Sequence, residues 1–245
     1  FAGQESVAQR LGSFAEDVVD LGALLGQAHC VGEFTQRGEV ELVGDIAAAL
    51  WAINERLGDE HRKADVPLYA DVRRRLVQEL TVESAEDDGF PMKPQRILHD
   101  LRQEMDDHDI VISDVGAHKM WTARHYPAYE PNTCIISNGF CSMAGSLPGS
   151  IAAKLVHPDR RVVALQGDGG FMMNVQELAT AAMYEVPAVQ LVWEDGGYGL
   201  IEWKQTLGFG KSSNARFQTP DFVQLGEAFG CFTRRIESAD DLRPT

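Results

Sequence analysis

An α/β fold with a doubly wound, mainly parallel sheet is predicted by three observations. Short apolar runs of strand length alternate with helix-period segments from Pro94 to Gly230. Neither internal repeats nor low-complexity tracts interrupt them. The composition is that of an ordinary globular chain, 245 residues with 44% hydrophobic and 24% charged, and that length suffices to bury a real core.

The elements follow in order. Glu39–Val43 reads as a short strand, and Asp45 caps a helix through Ile46, Leu50 and Ile53 that closes near Gly58. Residues 58–92 are charge-dense and read as a linker broken by a helical patch around Val72–Leu80. Pro94 suits the first turn of a helix with Ile97, Leu98, Leu101 and Met105 on one face. A strand, Asp109–Ser113, ends in a polar, glycine-containing turn, and a loop leads to a helix over Leu147–Val156. Arg161–Leu165 is a second strand. The next helix spans Asn174–Tyr184, with Asn174 and Glu177 spaced as a capping pair and Val175, Leu178, Ala179, Ala182 and Met183 on one face. Pro187–Trp193 is the third strand of this series, and Asp221 opens a helix through Phe222, Leu225 and Phe229 that Gly230 stops. Strands alternating with helices require right-handed crossovers.

Charge and cysteine usage narrow the function. The net charge of −15, from 37 acids against 22 Lys and Arg, argues against a binder of nucleic-acid backbones, which needs a basic face. No apolar run has the length of a membrane span, and no basic-then-apolar signal opens the chain. Cys30, Cys134, Cys141 and Cys231 include no C-x-x-C, which favours reduced thiols in a cytoplasmic protein over disulfides or a zinc site.

In a parallel sheet, ligands bind beyond the carboxyl ends of the strands. Two strands there run into acidic glycine turns, Gly167-Asp-Gly-Gly170 and Glu194-Asp-Gly-Gly-Tyr-Gly199. One helix and its turns separate Asp168 from Asp195, so both carboxylates reach one edge of the sheet. Hard oxygens suit Mg²⁺, which takes its remaining ligands from water and substrate phosphates. The glycines admit close backbone approach, and the helix that follows each turn favours a diphosphate. A lone G-D-G is a common turn; its repetition after the next strand carries the signal. No G-K-[S/T] marks a P-loop, and no G-x-G-x-x-G a dinucleotide site.

Gly167–Ala181 and Glu194–Ile201 together resemble the thiamine-diphosphate motif, most closely that of the acetolactate synthase (acetohydroxyacid synthase) large subunits. Asp114–Trp121, Ser137–Pro148 and Pro158–Val163 agree with it. The resemblance is detailed over residues 92–230; Val40–Leu50 resembles the end of that family's middle domain. It implies a carboxy-terminal part of a middle domain over 1–60, a linker over 61–92, and a diphosphate- and Mg-binding domain over 93–245 that is truncated at its end. Asp168 and Asp195 would ligate Mg²⁺ through their side chains, with the Gly197 carbonyl as third ligand. Val115, Ala117, His118, Gly169 and Gly170 would line the diphosphate. Met143 would support the thiazolium, with Cys141 and Leu200 near the aminopyrimidine and Tyr198 and Gly199 also against the cofactor. The implied reaction joins two pyruvates into 2-acetolactate with loss of CO₂.

No catalytic residue is expected in this chain, because the family's activating glutamate lies on a separate pyrimidine-binding domain that no segment here resembles. The chain therefore reads as part of a longer enzyme. The implied partners are a small 2-oxoacid, further copies in a homodimer or tetramer, and a regulatory subunit, with FAD left open in the full-length parent. Other members of the superfamily (a 2-oxoacid decarboxylase, glyoxylate carboligase or sulfoacetaldehyde acetyltransferase) and a catalytically silent cofactor-binding fragment are the alternatives. Three departures stand out: Glu194 where the family carries Asn, Cys141 where Gly or Ala is usual, and Lys204 in place of an acceptor-selecting Trp. Glu194 either points away from the site or weakens diphosphate binding. Met172 and Met173 read as core filling, and His125, beside Arg124, is left open between facing the site and not.

Overall fold

The computed structural model describes residues 45–57, 67–80 and 85–242. The chain divides into two compact units, residues 1–66 and 67–245. In the first, α1 (Ile46–Leu57) begins where expected, and Asp45 Oδ1 accepts the Ala48 N–H at 2.8 Å. The expected strand Glu39–Val43 lies outside the described residues.

The second unit opens with α2 (Pro67–Gln78). The segment read as a linker is fastened to its own unit by charge-assisted bonds. Glu79 pairs with Arg124 at 2.8 Å, the Leu80 carbonyl contacts His99 Nδ1 at 3.1 Å, and Arg96 donates to the Ala85 and Asp87 carbonyls at 2.9 and 3.1 Å. Arg96 also holds the buried Asp100 at 2.7 Å, within α3 (Pro94–Glu104).

A four-stranded sheet follows, with order β2-β1-β3-β4 and every pair parallel. The strands are β1 (Ile110–Ser113), β2 (Cys134–Ile136), β3 (Val162–Gly167) and β4 (Val189–Trp193). Between them run α4 (Ala117–His125), α5 (Ser146–Val156), α6 (Asp168–Met173) and α7 (Glu177–Met183), and after β4 come α8 (Gly199–Phe209), α9 (Phe222–Ala228) and α10 (Ala239–Leu242). Among the described residues, no helix is long and apolar enough to cross a membrane.

Both faces of the sheet are apolar, as helices on both sides require. Val111, Val163 and Leu165 pack with Leu98, Met105 and Tyr126. The alternate residues Ile110, Ile112 and Val162 pack with Ala153 of α5 and with Ala188. A third cluster joins Leu147, Ile151, Phe171 and Leu178 to Phe222 and Leu225. Register is pinned at the amino edge by Asp109, which accepts the Arg161 N–H and Nε–H, each at 2.8 Å. A polar chain crosses the interior from Ser146 Oγ to Gln166, from Gln166 Nε2 to Gln190, and from Gln190 Nε2 to Ser150 Oγ, each step 2.9 Å. Gln166 is wholly buried, and this chain satisfies both ends of its amide.

Several expectations are corrected. The helix expected over Asn174–Tyr184 begins only at Glu177, and the capping pair does not form. Asn174 Nδ2 instead donates to the Ala144 carbonyl at 3.2 Å, and Glu177 accepts from Thr180 Oγ1. The buried face of α7 is Leu178 with Val175 and Ala181, while Ala179, Ala182 and Met183 are exposed. Met172 and Met173 are exposed rather than core filling. By contrast Asp221 caps α9 as read, accepting the Val223 and Gln224 N–H groups.

Two measurements check this packing. Leu165→Ala, at a site with no exposure, is expected to cost about 2–5 kcal/mol in urea unfolding. Tyr126 is buried, and that burial pushes its phenol up to about 12, against the pull of Arg102. A raised folded value gives stability that is present below the unfolded value and lost as pH rises toward the folded one. Stability should therefore fall from about pH 10 upward at roughly 1.4 kcal/mol per unit, a slope that Tyr126→Phe flattens.

Candidate functional site

Because all four strands are parallel, their carboxyl ends share one edge, and the connections diverge between β1 and β3. At this switch point β1 runs through Asp114–Gly116 into α4, and β3 runs directly into α6 at Asp168. β4 ends in Glu194–Tyr198 and α8 follows. The amino ends of α4 and α8 carry no side-chain cap. Their free N–H groups and positive helix ends therefore face the same edge, a setting that suits an anion.

Asp168 is the structural hub of this edge. Its carboxylate is buried; Oδ1 accepts the Gly169 N–H at 2.6 Å, and Oδ2 accepts those of Asp195 and Gly196 at 3.1 and 2.7 Å. The G-D-G-G turn thus grips the turn that follows β4. Asp195 lies next to it, partly exposed. Lost hydration and then the Asp168 charge push its carboxyl above the ordinary range, and Arg216 pulls it back.

Two adjacent carboxylates of this kind fit a cation better than they fit each other. Among the described residues no third acidic, His or Cys side chain joins them. A hard divalent ion here would draw on these two acids, the adjacent backbone carbonyls and the oxygens of its ligand, the donor set Mg²⁺ accepts.

Close packing holds the second turn. The Tyr198 N–H donates to the Ala215 carbonyl at 2.8 Å and the Phe217 N–H to the Gly196 carbonyl at 3.1 Å, so Gly197 and Arg216 form an antiparallel bridge. A Cβ on Gly197 would stand 2.7 Å from the Ala215 carbonyl oxygen, and one on Gly169 would stand 2.5 Å from the Tyr198 ring. Tyr198 and Phe217 pack with ring centroids 4.9 Å apart. Arg216 donates to the Asp195 carbonyl at 2.7 Å and pairs with Glu202 at 2.6 Å.

Glu194 is held by two partners. Its Oε1 accepts from Thr219 Oγ1 at 2.7 Å, and its Oε2 pairs with Arg235 at 3.2 Å. Glu194 and Arg235 both line the cleft at this edge, the carboxylate held by its two partners.

A single open cleft of about 1250 Å³ gathers most of the predicted residues. Val115, Ala117 and His118 line it from β1 and α4, and Met143 from the loop before α5. Asp168, Gly169 and Gly170 enter from α6, and Asp195, Gly197, Tyr198, Gly199 and Leu200 from the turn before α8 and its first residues. Cys141 is not among the lining residues. It is exposed, with Lys119 Nζ 3.9 Å from its Sγ, and adopts φ +51°, a left-handed backbone better suited to glycine. His125 lies buried outside the cleft lining, 5.6 Å ring to ring from Trp121, and burial lowers its basicity.

Two residues here escaped the sequence reading. One is Arg216, far from any motif. The other is Asp114, fully buried, whose Oδ1 lies 2.6 Å from His118 Nε2 and whose Oδ2 accepts the Ala144 N–H at 2.8 Å. A carboxylate four residues before a histidine, at a strand end, was the available signal.

Comparison with known proteins gives the family. Residues 114–245 match the family described as thiamine pyrophosphate enzyme, C-terminal TPP binding domain. The chain is 34% identical to an acetolactate synthase of Bacillus subtilis (strain 168), over 83% of this chain and 36% of that protein. It is 35% identical to a catabolic acetolactate synthase of Raoultella terrigena, over 84% of this chain and 37% of that protein. It is 30% identical to an acetolactate synthase large subunit of Corynebacterium glutamicum, over 95% of this chain and 38% of that protein. The chain spans little more than a third of these relatives' length.

The packing around Gly197 gives a direct test. Gly197→Ala forces the Ala215–Phe217 strand away from the turn and is expected to cost about 1–3 kcal/mol in urea unfolding.

Proposed function

We propose a function from one premise: the chain belongs to the thiamine pyrophosphate enzymes, through their C-terminal cofactor-binding domain. It carries the diphosphate half of a thiamine-diphosphate and Mg²⁺ site in an enzyme of acetolactate synthase type. The observation that carries this reading is the grip of Asp168 on the Asp195–Gly196 backbone, which brings two carboxylates and two uncapped helix starts to one edge.

In this reading Asp168 and Asp195, with the Gly197 carbonyl, would hold Mg²⁺, which would offset the negative charge of the diphosphate. Val115, Ala117, His118, Gly169 and Gly170 receive the diphosphate, with backbone N–H groups at the start of α4 as donors. Met143 supports the central ring. Tyr198, Gly199 and Leu200 close the cleft from the side of α8, with Leu200 near the aminopyrimidine; Cys141, read as its neighbour there, lies outside the lining. When bound, thiamine diphosphate supplies the electron sink for 2-oxoacid chemistry, and the protein supplies binding, orientation and exclusion of water. Disposal of Glu194 onto Thr219 and Arg235 keeps a third negative charge off the diphosphate.

The full-length enzyme would convert two pyruvates to 2-acetolactate and CO₂ in the cytoplasm, as a homodimer or tetramer with a regulatory subunit. FAD on the middle domain and an activating glutamate on a pyrimidine-binding domain belong to the same proposal. So does the division into a middle-domain part over 1–60, a linker over 61–92 and the cofactor domain over 93–245.

Calorimetry tests the site. Thiamine diphosphate should bind in the presence of Mg²⁺ and not in EDTA, and Asp168→Ala or Asp195→Ala should weaken binding at least about tenfold. Unchanged affinity in either variant would remove the metal assignment. The chain alone, given pyruvate, thiamine diphosphate and Mg²⁺, should release neither acetolactate nor CO₂; turnover would overturn the half-site reading.

A further inference from the structure

The proposed cofactor site needs two segments, His118 on α4 and the Met143 loop before α5, joined at the surface by the long Lys119–Cys141 contact of 3.9 Å. Both are tied to one carboxylate. Asp114 ends β1 with no exposure; its Oδ1 lies 2.6 Å from His118 Nε2, and its Oδ2 accepts the Ala144 N–H at 2.8 Å. A third segment closes on the same group, because a Cβ on Gly170 would collide with Asp114 Oδ2. The loop is further held from that side by Asn174 Nδ2, which donates to the Ala144 carbonyl at 3.2 Å. Ala144 itself sits at φ +64°, a backbone that a non-glycine residue keeps only when its surroundings hold it there.

We propose that Asp114 is a positioning residue for thiamine diphosphate, orienting His118 and locking the Met143 loop through a single buried carboxylate. This rests on the cofactor site proposed above. An ionised carboxylate only accepts hydrogen bonds, so Nε2 carries a hydrogen in the neutral ring as well as the charged one. That leaves Nδ1 as the nitrogen with a free role. The Nδ1 edge of the ring faces Gly116 and Gly167, the backbone turns on either side of the switch point; a Cβ added there would lie 2.7 and 3.5 Å from Nδ1. Asp114 thereby chooses which edge of His118 meets the ligand, as a carboxylate behind a histidine does for metal-ligating imidazoles. An asparagine in its place can satisfy one of the two donors and must turn its NH₂ toward the other.

The test is a double-mutant cycle on thiamine diphosphate affinity with Mg²⁺, using wild type, Asp114→Asn, His118→Gln and the double variant in calorimetry. Asp114→Asn is expected to weaken binding at least about tenfold, and most of that loss should vanish in the His118→Gln background. Unchanged affinity, or losses that simply multiply as for a merely structural residue, would overturn the proposal. Nitrogen NMR of the ligand-free wild-type chain gives a second readout that does not depend on the variants folding. His118 should carry its hydrogen on Nε2, and a neutral ring protonated at Nδ1 instead would refute it. If wild type binds no thiamine diphosphate, the functional reading falls, and this NMR signature alone decides whether Asp114 orients His118.

Discussion

Much of this unit depends on how two strand ends are joined by one buried carboxylate. Asp168 leaves β3 at the first residue of a helix and takes N–H groups from its own turn and from the turn beyond β4. A buried carboxylate is costly unless its oxygens are satisfied, so the two turns cannot separate without exposing that cost. Everything placed on them, from Tyr198 against Phe217 to the start of α8, inherits its position from this contact.

The sheet and its acidic edge were legible because their signals are local. Apolar runs such as Ile110–Ile112 and Val162–Leu165 lie in a sheet covered on both faces, where no alternation is needed. The Asp221 cap is likewise local, spanning four successive residues from Asp221 to Gln224. What stayed hidden depends on tertiary partners. Asn174 has the spacing of a cap, yet the Ala144 carbonyl, thirty residues earlier, captures its amide. β2 has only three residues, too few to show a period, and the polar faces of α4 hide a helix that buries His118, Thr122 and His125. Asp114 lies in the motif that carried the family resemblance, but its two bonds, one to a neighbouring turn and one across thirty residues, are invisible without the fold.

The acidic balance of the chain is managed residue by residue at the carboxyl edge. Glu194, the departure that threatened a diphosphate site, is drawn off by Thr219 and Arg235, and Arg216 stands over Asp195 through its carbonyl. Asp168 is satisfied by backbone donors alone. Asp195 is the carboxyl at this edge whose ionisation burial and the Asp168 charge resist, with Arg216 opposing them. A net charge of −15 thus says little about the site until each acid is assigned its partner.

The parallel pairing has a kinetic corollary. Arg161 reaches Asp109 across fifty-two residues, and Asp168 reaches Gly196 across twenty-eight. Pairings of such separation must close large loops before they reward the chain, which places this domain among slow folders. The cleft's edge cannot exist in a partly folded chain, since no single segment carries it. Any ligand that binds there therefore discriminates between native and unfolded states, and it raises the stability of the fold by RT ln(1 + [L]/Kd).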